Sequence, residues 1–185
     1  EVDFNLYRGG SLHLTQPHPG ATMSTFATAV SIIAIGCGAT LVMDAWLVVL
    51  RRLGVRTASF GLIGRWVAHI FRGRFVHASI AKAEPVRGED ALGWAVHYLI
   101  GIVFAALLVA MTGTGWIQAP TAVPAILFGV ISVGAPLLIM QPAMGSGFLA
   151  SKTPTPLANC LRSVVNHSVF GAGLYVAALV VARVA

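Results

Sequence analysis

Four long apolar stretches limit what this chain can fold into. A helix rises about 1.5 Å per residue, so about 20 apolar residues cross the roughly 30 Å hydrocarbon core of a bilayer. The stretches are long enough and cover about residues 25–50, 91–111, 121–140 and 161–181. The sequence therefore predicts an all-α integral membrane protein, a four-helix bundle whose transmembrane domain takes up residues 23–185.

Charged residues are too few for a soluble protein of this length. They make up 10% of the chain, whereas soluble domains carry about 25%. The net charge of +6 could suit nucleic acid, but eight of the twelve Lys and Arg residues lie between Arg51 and Arg87. Such a cluster is typical of a cytoplasmic loop. It favours membrane lipids with anionic headgroups as partners and argues against nucleic acid.

The positive charges also predict an orientation. The connections 51–90 and 145–160 carry Lys and Arg, whereas 112–120 is short and uncharged. The positive-inside rule places the first two in the cytoplasm and the third outside. Both termini then lie outside, which is the periplasm if the chain belongs to a bacterial inner membrane.

Residues 1–22 are polar and irregular and lack the apolar centre of a signal peptide. They are expected to form a polar N-terminal extension or tail, and Met23 would make a natural start. If this tail is ordered, something must hold it, and a partner surface is one candidate. A structural or accessory subunit of a larger membrane complex, or a homo-oligomer, therefore stays open as an alternative role.

The long basic connection contains a further helix. Apolar residues recur at helical spacing on one face, and basic residues fall on the other; the apolar ones are Phe60, Ile63, Val67, Ile70 and Phe71, and the basic ones Arg65, His69 and Arg72. This pattern predicts an interfacial helix on the cytoplasmic side, with membrane-surface contacts from Arg65, Trp66, Arg72 and Arg74. The alternative is a loop helix packed under the bundle.

Polar side chains inside the apolar stretches form the candidate site. Asp44, His97 and His167 lie five to seven residues from the cytoplasmic ends of their spans, or about 8–10 Å along a helix. Gln141 closes the third span at that end, and Asn166 lies beside His167. Since a central Asp costs roughly 2.5–3.5 kcal/mol in a membrane, Asp44 needs a partner. We expect it to meet His97 or His167.

Small residues share faces with these polar groups and point to close helix contacts there. The rows at spacing four are Gly36, Thr40 and Asp44; Gly93, His97 and Gly101; and Ser163, His167 and Gly171. Pro136 and Pro142 are expected to kink or end the third span, which places a Gly- and Pro-rich break at the depth of the polar cluster. The break could free backbone groups for a ligand or could be a plain helix end.

Several chemistries fit this cluster. The groups could simply hydrogen-bond and lock the bundle, or they could bind a small polar ligand, a cation or a proton. Asp44, His97 and His167 also have the composition of a metal triad, and the two histidines could ligate a haem. No cofactor and no catalytic residue is assigned. Chemistry on a lipid headgroup is a weaker option, so binding or transport is the leading hypothesis.

Five strings resemble an uncharacterised bacterial family of small multi-pass membrane proteins, a domain of unknown function. They are GATLVMDAW (Gly38 to Trp46), GRWVAHIFRGRF (Gly64 to Phe75), PVRGEDALGWAVHYLIG (Pro85 to Gly101), MQPAMGSGF (Met140 to Phe148) and NHSVFGAGLY (Asn166 to Tyr175). The resemblance covers about Val30 to Val181 and leaves out residues 1–22. It implies a location in the bacterial inner membrane, and it implies no activity.

Overall fold

Helices form the regular structure of residues 23–55 and 57–184, the part of the chain that the computed structural model describes. The predicted tail, residues 1–22, lies outside this part. The helices are α1 (Thr25–Arg52), α2 (Phe60–Ile70), α3 (Glu89–Thr112), α4 (Gly115–Gln118), α5 (Ala122–Ala143) and α6 (Pro156–Val184), with short 3-10 turns at Ile80–Lys82 and Phe148–Ala150. Within those residues there is no β-strand.

Four of these helices, α1, α3, α5 and α6, are long and apolar enough to cross a membrane. This confirms the predicted fold class. The helices extend a few residues beyond the apolar stretches because local signals set their ends. Ser24 Oγ accepts a hydrogen bond from the Ala27 amide at 3.1 Å and caps α1. Pro156 opens α6, where its missing N–H removes no helical hydrogen bond.

The packing order places α1 between α3 and α6, and α5 on the far side of α6. Small residues allow these contacts. A Cβ on Gly129 of α5 would lie 2.6 Å from the Cα of Gly171 on α6, so only glycine fits at this crossing. By contrast, α3 and α5 touch only lightly. The bundle is therefore closed along three seams and loose along the fourth.

The buried core fills one half of the bundle. Its members include Ile35, Leu108, Ala125 and Leu174, which lie in the halves of their helices nearest α4. Trp116 and Ile117 of α4 are buried in the same cluster. Dense apolar packing thus closes the end that carries α4. The polar residues predicted as a site belong to the opposite half.

Helix α5 changes its winding instead of ending at a proline. Residues Ala135–Met140 form a π-helical segment, and the helix continues through Pro142 to Ala143. Of the two prolines expected to kink or end the span, Pro136 lies where the winding changes, and Pro142 lies one residue before the helix ends. Pro136 lacks the N–H that a regular helix needs, and a wider local turn accommodates the loss. Such widened turns are frequent at functional sites.

The loop after α2 covers the end of α5. The amide of His77 donates to the carbonyl oxygen of Ala143 at 2.8 Å, and the amide of Ile80 donates to that of Met144 at 3.0 Å. These bonds satisfy carbonyls that a helix end leaves open. A Cβ on Gly145, which has a φ of +95°, would overlap the carbonyl oxygen of Ala78. The loop and the helix end therefore form one packed layer.

Helix α2 is docked on α3 along its glycines. A Cβ on Gly64 would overlap the carbonyl oxygen of Glu89, and a Cβ on Gly93 would overlap that of Phe60. This close approach agrees with the alternative weighed from the sequence, a loop helix packed against the bundle. The docking also brings the start of α2 over the loose seam between α3 and α5.

Candidate functional site

A cavity of about 340 Å³ lies in the half of the bundle away from α4. All four long helices and α2 contribute to its wall. Four of the five ligand-site residues predicted from the sequence line it: His97, Gln141, Asn166 and His167. The remaining wall is mainly apolar. Its volume falls in the range of small-molecule sites, about 300–1,000 Å³.

Asp44 stands behind His97 in a hydrogen-bonded dyad. Its Oδ1 lies 2.9 Å from Nε2 of His97, and its Oδ2 accepts a hydrogen bond from the Tyr98 hydroxyl at 3.0 Å. The side chains of His97 and Asp44 are only 10% and 15% exposed. Since a carboxylate only accepts, Nε2 of His97 carries the proton of this bond. Asp44 therefore fixes the orientation of the imidazole, as carboxylates do in many histidine sites.

Aromatic rings hold His97 from the other sides. The centroid of its ring lies 4.2 Å from that of Phe60 and 5.9 Å from that of Trp94. Phe60 belongs to α2 and also contacts Trp94 at 4.5 Å. Helix α2 thus has a direct structural role at the site, because its first residue clamps the histidine that Asp44 orients.

His167 pairs with Ser132 and not with Asp44. The serine hydroxyl donates to the carbonyl oxygen of Gly129 at 2.7 Å, and its oxygen lies 2.8 Å from Nδ1 of His167. With the hydroxyl hydrogen directed to Gly129, the serine oxygen can only accept, and Nδ1 of His167 is then the donor. The other ring nitrogen, Nε2, then carries a lone pair. Since His167 lines the cavity, this nitrogen is the one left for a ligand.

The two amide side chains differ in how far the protein satisfies them. The Oδ1 of Asn166 accepts a hydrogen bond from the indole of Trp46 at 3.0 Å. The Oε1 of Gln141 is buried and has no hydrogen-bond partner within the part of the chain that the structure describes. Buried polar atoms are rarely left unpaired. Because this oxygen has almost no accessible surface, it is closed off from the cavity that Gln141 otherwise borders.

The metal triad considered from the sequence does not assemble. Both carboxylate oxygens of Asp44 form hydrogen bonds, one with His97 and one with Tyr98, and His167 forms its hydrogen bond with Ser132. Within residues 23–55 and 57–184, no group of three His, Cys, Asp or Glu side chains could hold a metal ion. The donor set fits hydrogen bonding better than metal ligation. No observation supports haem ligation by His97 and His167.

The predicted membrane-surface residues separate into two groups. Arg65 is drawn into the protein: its Nη2 lies 2.6 Å from Oε1 of Glu89, and Nη1 donates to the carbonyl oxygen of Ala83 at 3.1 Å. The hydrogen bond and charge of Glu89 raise the pKa of Arg65 above its ordinary value. The prediction that Arg65 contacts lipid headgroups is therefore corrected: this side chain binds other segments of the protein. Arg72 and Arg74 are exposed.

Trp66 takes an intermediate position. Its indole donates to the carbonyl oxygen of Phe75 at 2.9 Å, and its side chain lines the cavity. This tryptophan ties α2 to the loop that follows and faces the site. The sequence suggested a headgroup contact because helical spacing does not reveal that the chain returns onto α2.

His69 is the clearest error in the predicted polar face, because it is only 1% exposed. Its Nδ1 lies 2.8 Å from Nε2 of His77, and its Nε2 lies 3.1 Å from the carbonyl oxygen of Glu84. Burial lowers the pKa of His77 from its ordinary 6.5, and the charges of His69 and Arg74 lower it further, against the opposing effect of the Ala143 carbonyl. His77 therefore favours its neutral form, and the hydrogen-bonded pair holds the loop on α2.

Three further residues of the site were not anticipated: Tyr98, Ser132 and Trp46. Each supplies a hydrogen bond that orients a predicted residue. Tyr98 could have been found, since it follows His97 directly. Ser132 and Trp46 carry no sequence signal of this kind, because neutral polar groups are common inside membrane helices.

Comparisons with known proteins give one match. A family model described as "Protein of unknown function (DUF2938)" matches residues 33–181. Neither the comparison with curated proteins nor the comparison with solved structures gives a match.

Proposed function

Since the chain belongs to the DUF2938 family, whose function is unknown, we propose that it is a multi-pass protein of the bacterial inner membrane that binds a small ligand. The cavity between the four long helices is the binding site. His97, Gln141, Asn166 and His167 contact the polar end of the ligand or a proton, and Asp44 supports His97.

The cavity is the observation that carries this proposal. A polar cluster that only locked the bundle would be dry and closed, with its groups bonded to one another. Instead the two histidines bond to different partners, Asp44 and Ser132, and both border open volume. An ionisable residue at membrane depth is a functional candidate by default. This arrangement favours binding over a purely structural role.

The Asp44–His97 dyad gives the site a way to hold positive charge. With a neutral imidazole, Nε2 donates to Asp44 and Nδ1 is free to accept a hydrogen bond. When Nδ1 takes a proton, the carboxylate lies next to the imidazolium and compensates its charge. The dyad therefore suits a proton, a cationic group or a strong hydrogen-bond donor.

The orientation follows from charge and packing together. The connections around α2 and before α6 carry the basic residues and lie at the cavity end. We place this end in the cytoplasm and both termini in the periplasm by the positive-inside rule. Dense packing near α4 closes the periplasmic half. Ligand would therefore reach the site from the cytoplasmic half of the membrane.

A retention experiment tests the proposal. The protein is purified from bacterial membranes into nanodiscs of synthetic phosphatidylcholine, and small molecules that stay with it are quantified by mass spectrometry. Wild-type protein should retain a non-lipid occupant near one per chain. Ala135→Leu should lose it, because Ala135 lines the cavity and the larger side chain fills it.

Ala110→Leu is the matched control, since Ala110 is exposed on α3 and does not line the cavity. It should retain the occupant as wild type does. Asp44→Asn should fold but retain less, because His97 loses its charged support. Equal retention by wild type and Ala135→Leu would contradict the proposal.

A further inference from the structure

We propose that the ligand has a hydrogen-bond-donating head, of the hydroxyl or phenol type, on a compact apolar body. This inference rests on the proposed binding function and adds the chemical class of the ligand. It comes from the balance of donors and acceptors that the protein leaves open at the cavity.

His167 provides the first open acceptor. Ser132 gives its hydrogen to the carbonyl oxygen of Gly129 at 2.7 Å, so its oxygen can only accept from Nδ1 of His167 at 2.8 Å. A neutral imidazole carries one N–H. The Nε2 atom is therefore a lone pair, and the serine fixes this tautomer in advance.

His97 provides the second. Neutral His97 uses its N–H on Asp44, so its Nδ1 is also a lone pair. The Oε1 of Gln141 is unpaired too, but it is closed off from the cavity and is not counted. Beside the two histidine acceptors stand the amide nitrogens of Gln141 and of Asn166, whose Oδ1 is taken by Trp46. A ligand that only accepts would leave both histidine nitrogens unpaired, which is costly, whereas a hydroxyl can donate to a histidine and accept from an amide.

The remaining wall of the cavity determines the chemical nature of the ligand's apolar body. Apolar side chains from five helices line it, among them Leu47, Ile63, Ile100, Phe104 and Ile139. An engineered apolar cavity of about 150 Å³ holds benzene, and this one has about 340 Å³. It therefore has room for one aromatic ring with a short alkyl chain, and the polar end is confined to one side.

The loose seam between α3 and α5 gives such a molecule a path. These helices touch lightly, and they meet through Phe104 and Phe128, whose ring centroids lie 5.8 Å apart. Phe104 also contacts Phe170 at 6.0 Å, and both line the cavity. The three rings close the cavity toward the packed core. An amphiphile dissolved in the bilayer would enter beside them, from the seam.

A matched pair of probes tests the inference. Binding of 4-butylphenol and 4-butylanisole, which differ only in whether the oxygen can donate, is measured by calorimetry in phosphatidylcholine nanodiscs. Partitioning into empty nanodiscs is subtracted. The phenol should bind about tenfold more tightly, equal to about 1.4 kcal/mol. In His167→Phe the preference should fall to about threefold or less, because one acceptor is gone.

Two controls accompany the test. Val176→Phe places the same new side chain on an exposed position of α6 and should keep the full preference. Ser132→Ala keeps the imidazole but frees its tautomer, so the preference should fall even if His167→Phe does not fold. ¹⁵N chemical shifts of His167 should report an N–H at Nδ1 in wild type and a mixture in Ser132→Ala.

The outcomes separate the two proposals. Equal binding of phenol and anisole would overturn the donor-head inference and leave the binding function standing. Binding of neither probe would overturn the inference as well, whereas the binding function is overturned only if wild type and Ala135→Leu also retain the same occupants in the retention experiment. A full preference in both His167→Phe and Ser132→Ala would overturn the assignment of His167 as an acceptor, and with it the inference as stated.

Discussion

Replacing Asp44 with alanine or asparagine should have very different effects on stability. Alanine removes the acceptor of two hydrogen bonds, from His97 at 2.9 Å and from Tyr98 at 3.0 Å. Asparagine keeps an oxygen for His97, and its amide hydrogen can turn toward the Tyr98 hydroxyl, which then accepts. The comparison separates the loss of hydrogen bonds from the loss of charge.

The magnitude follows from the two bonds. Hydrogen bonds between membrane helices average about 0.6 kcal/mol and reach about 1.7 kcal/mol. Asp44→Ala should therefore lower the free energy of unfolding by about 1–3 kcal/mol. Asp44→Asn should stay within about 1 kcal/mol of wild type, because it keeps both contacts and removes a charge that is costly to bury.

Reversible unfolding in bicelles measures these differences. A cycle of Asp44→Ala with Tyr98→Phe isolates one bond, and its coupling energy should be about 0.5–1.5 kcal/mol. If Asp44→Ala is as stable as Asp44→Asn, or the coupling with Tyr98 is zero, then the dyad does not have the structural role that its geometry assigns to it.

Three further predictions concern the rest of the fold. An impermeant thiol reagent added outside should label a cysteine at Gly115 and spare one at Arg74; labelling of the second from outside would reverse the topology. Because the folded-state pKa of His77 lies below 6.5, its contribution to stability is complete above pH 6.5 and is lost as pH falls below that value. The protection factor of the Ile80 amide, which bonds to the end of α5, should therefore fall from about pH 6.5 downward once the slower intrinsic exchange at low pH is divided out, and an unchanged protection factor down to pH 4 would exclude the linkage. Gly129→Leu should separate α5 from α6, since its Cβ alone would lie 2.6 Å from a backbone atom, and the expected loss is several kcal/mol or failure to fold; near-wild-type stability would refute the close crossing.

The sequence was sufficient to predict the long helices and the pairing of Asp44 with a histidine. Apolar length determines the spans, since few other structures satisfy the backbone in lipid. The depth of Asp44 and His97, and the rows of small residues beside them, led to the contact that the structure contains. These features depend on distance along a helix, which the sequence fixes directly.

The rotation of each helix about its own axis, which decides the neighbour that a side chain faces, could not be predicted from the sequence in the same way. His167 lies at the same depth as Asp44, yet it faces Ser132 of α5. The choice depends on which helices are neighbours, and α6 contacts both α1 and α5. The cavity could not be predicted from the sequence either, because it is empty space between helices. It depends on the loose α3–α5 seam and on α2 lying across it.

The errors on α2 have a common cause. Arg65 and His69 were assigned to a polar outer face from their spacing, but both are satisfied by segments that follow, Arg65 by Glu89 and His69 by His77 and Glu84. Periodicity identifies two faces and cannot tell water or headgroups from a returning loop. The glycines at this contact, Gly61 and Gly64 of α2 and Gly93 of α3, would have indicated docking, had their partners been known.

A high-resolution density map of the protein, purified from native membranes into nanodiscs, would show whether a ligand occupies the cavity. We expect elongated non-protein density there, with its polar end within hydrogen-bond distance, about 2.7–3.2 Å, of Nδ1 of His97 or Nε2 of His167. A collapsed cavity, in which His97, Gln141 and His167 bond to one another and leave no space for a ligand, would contradict it.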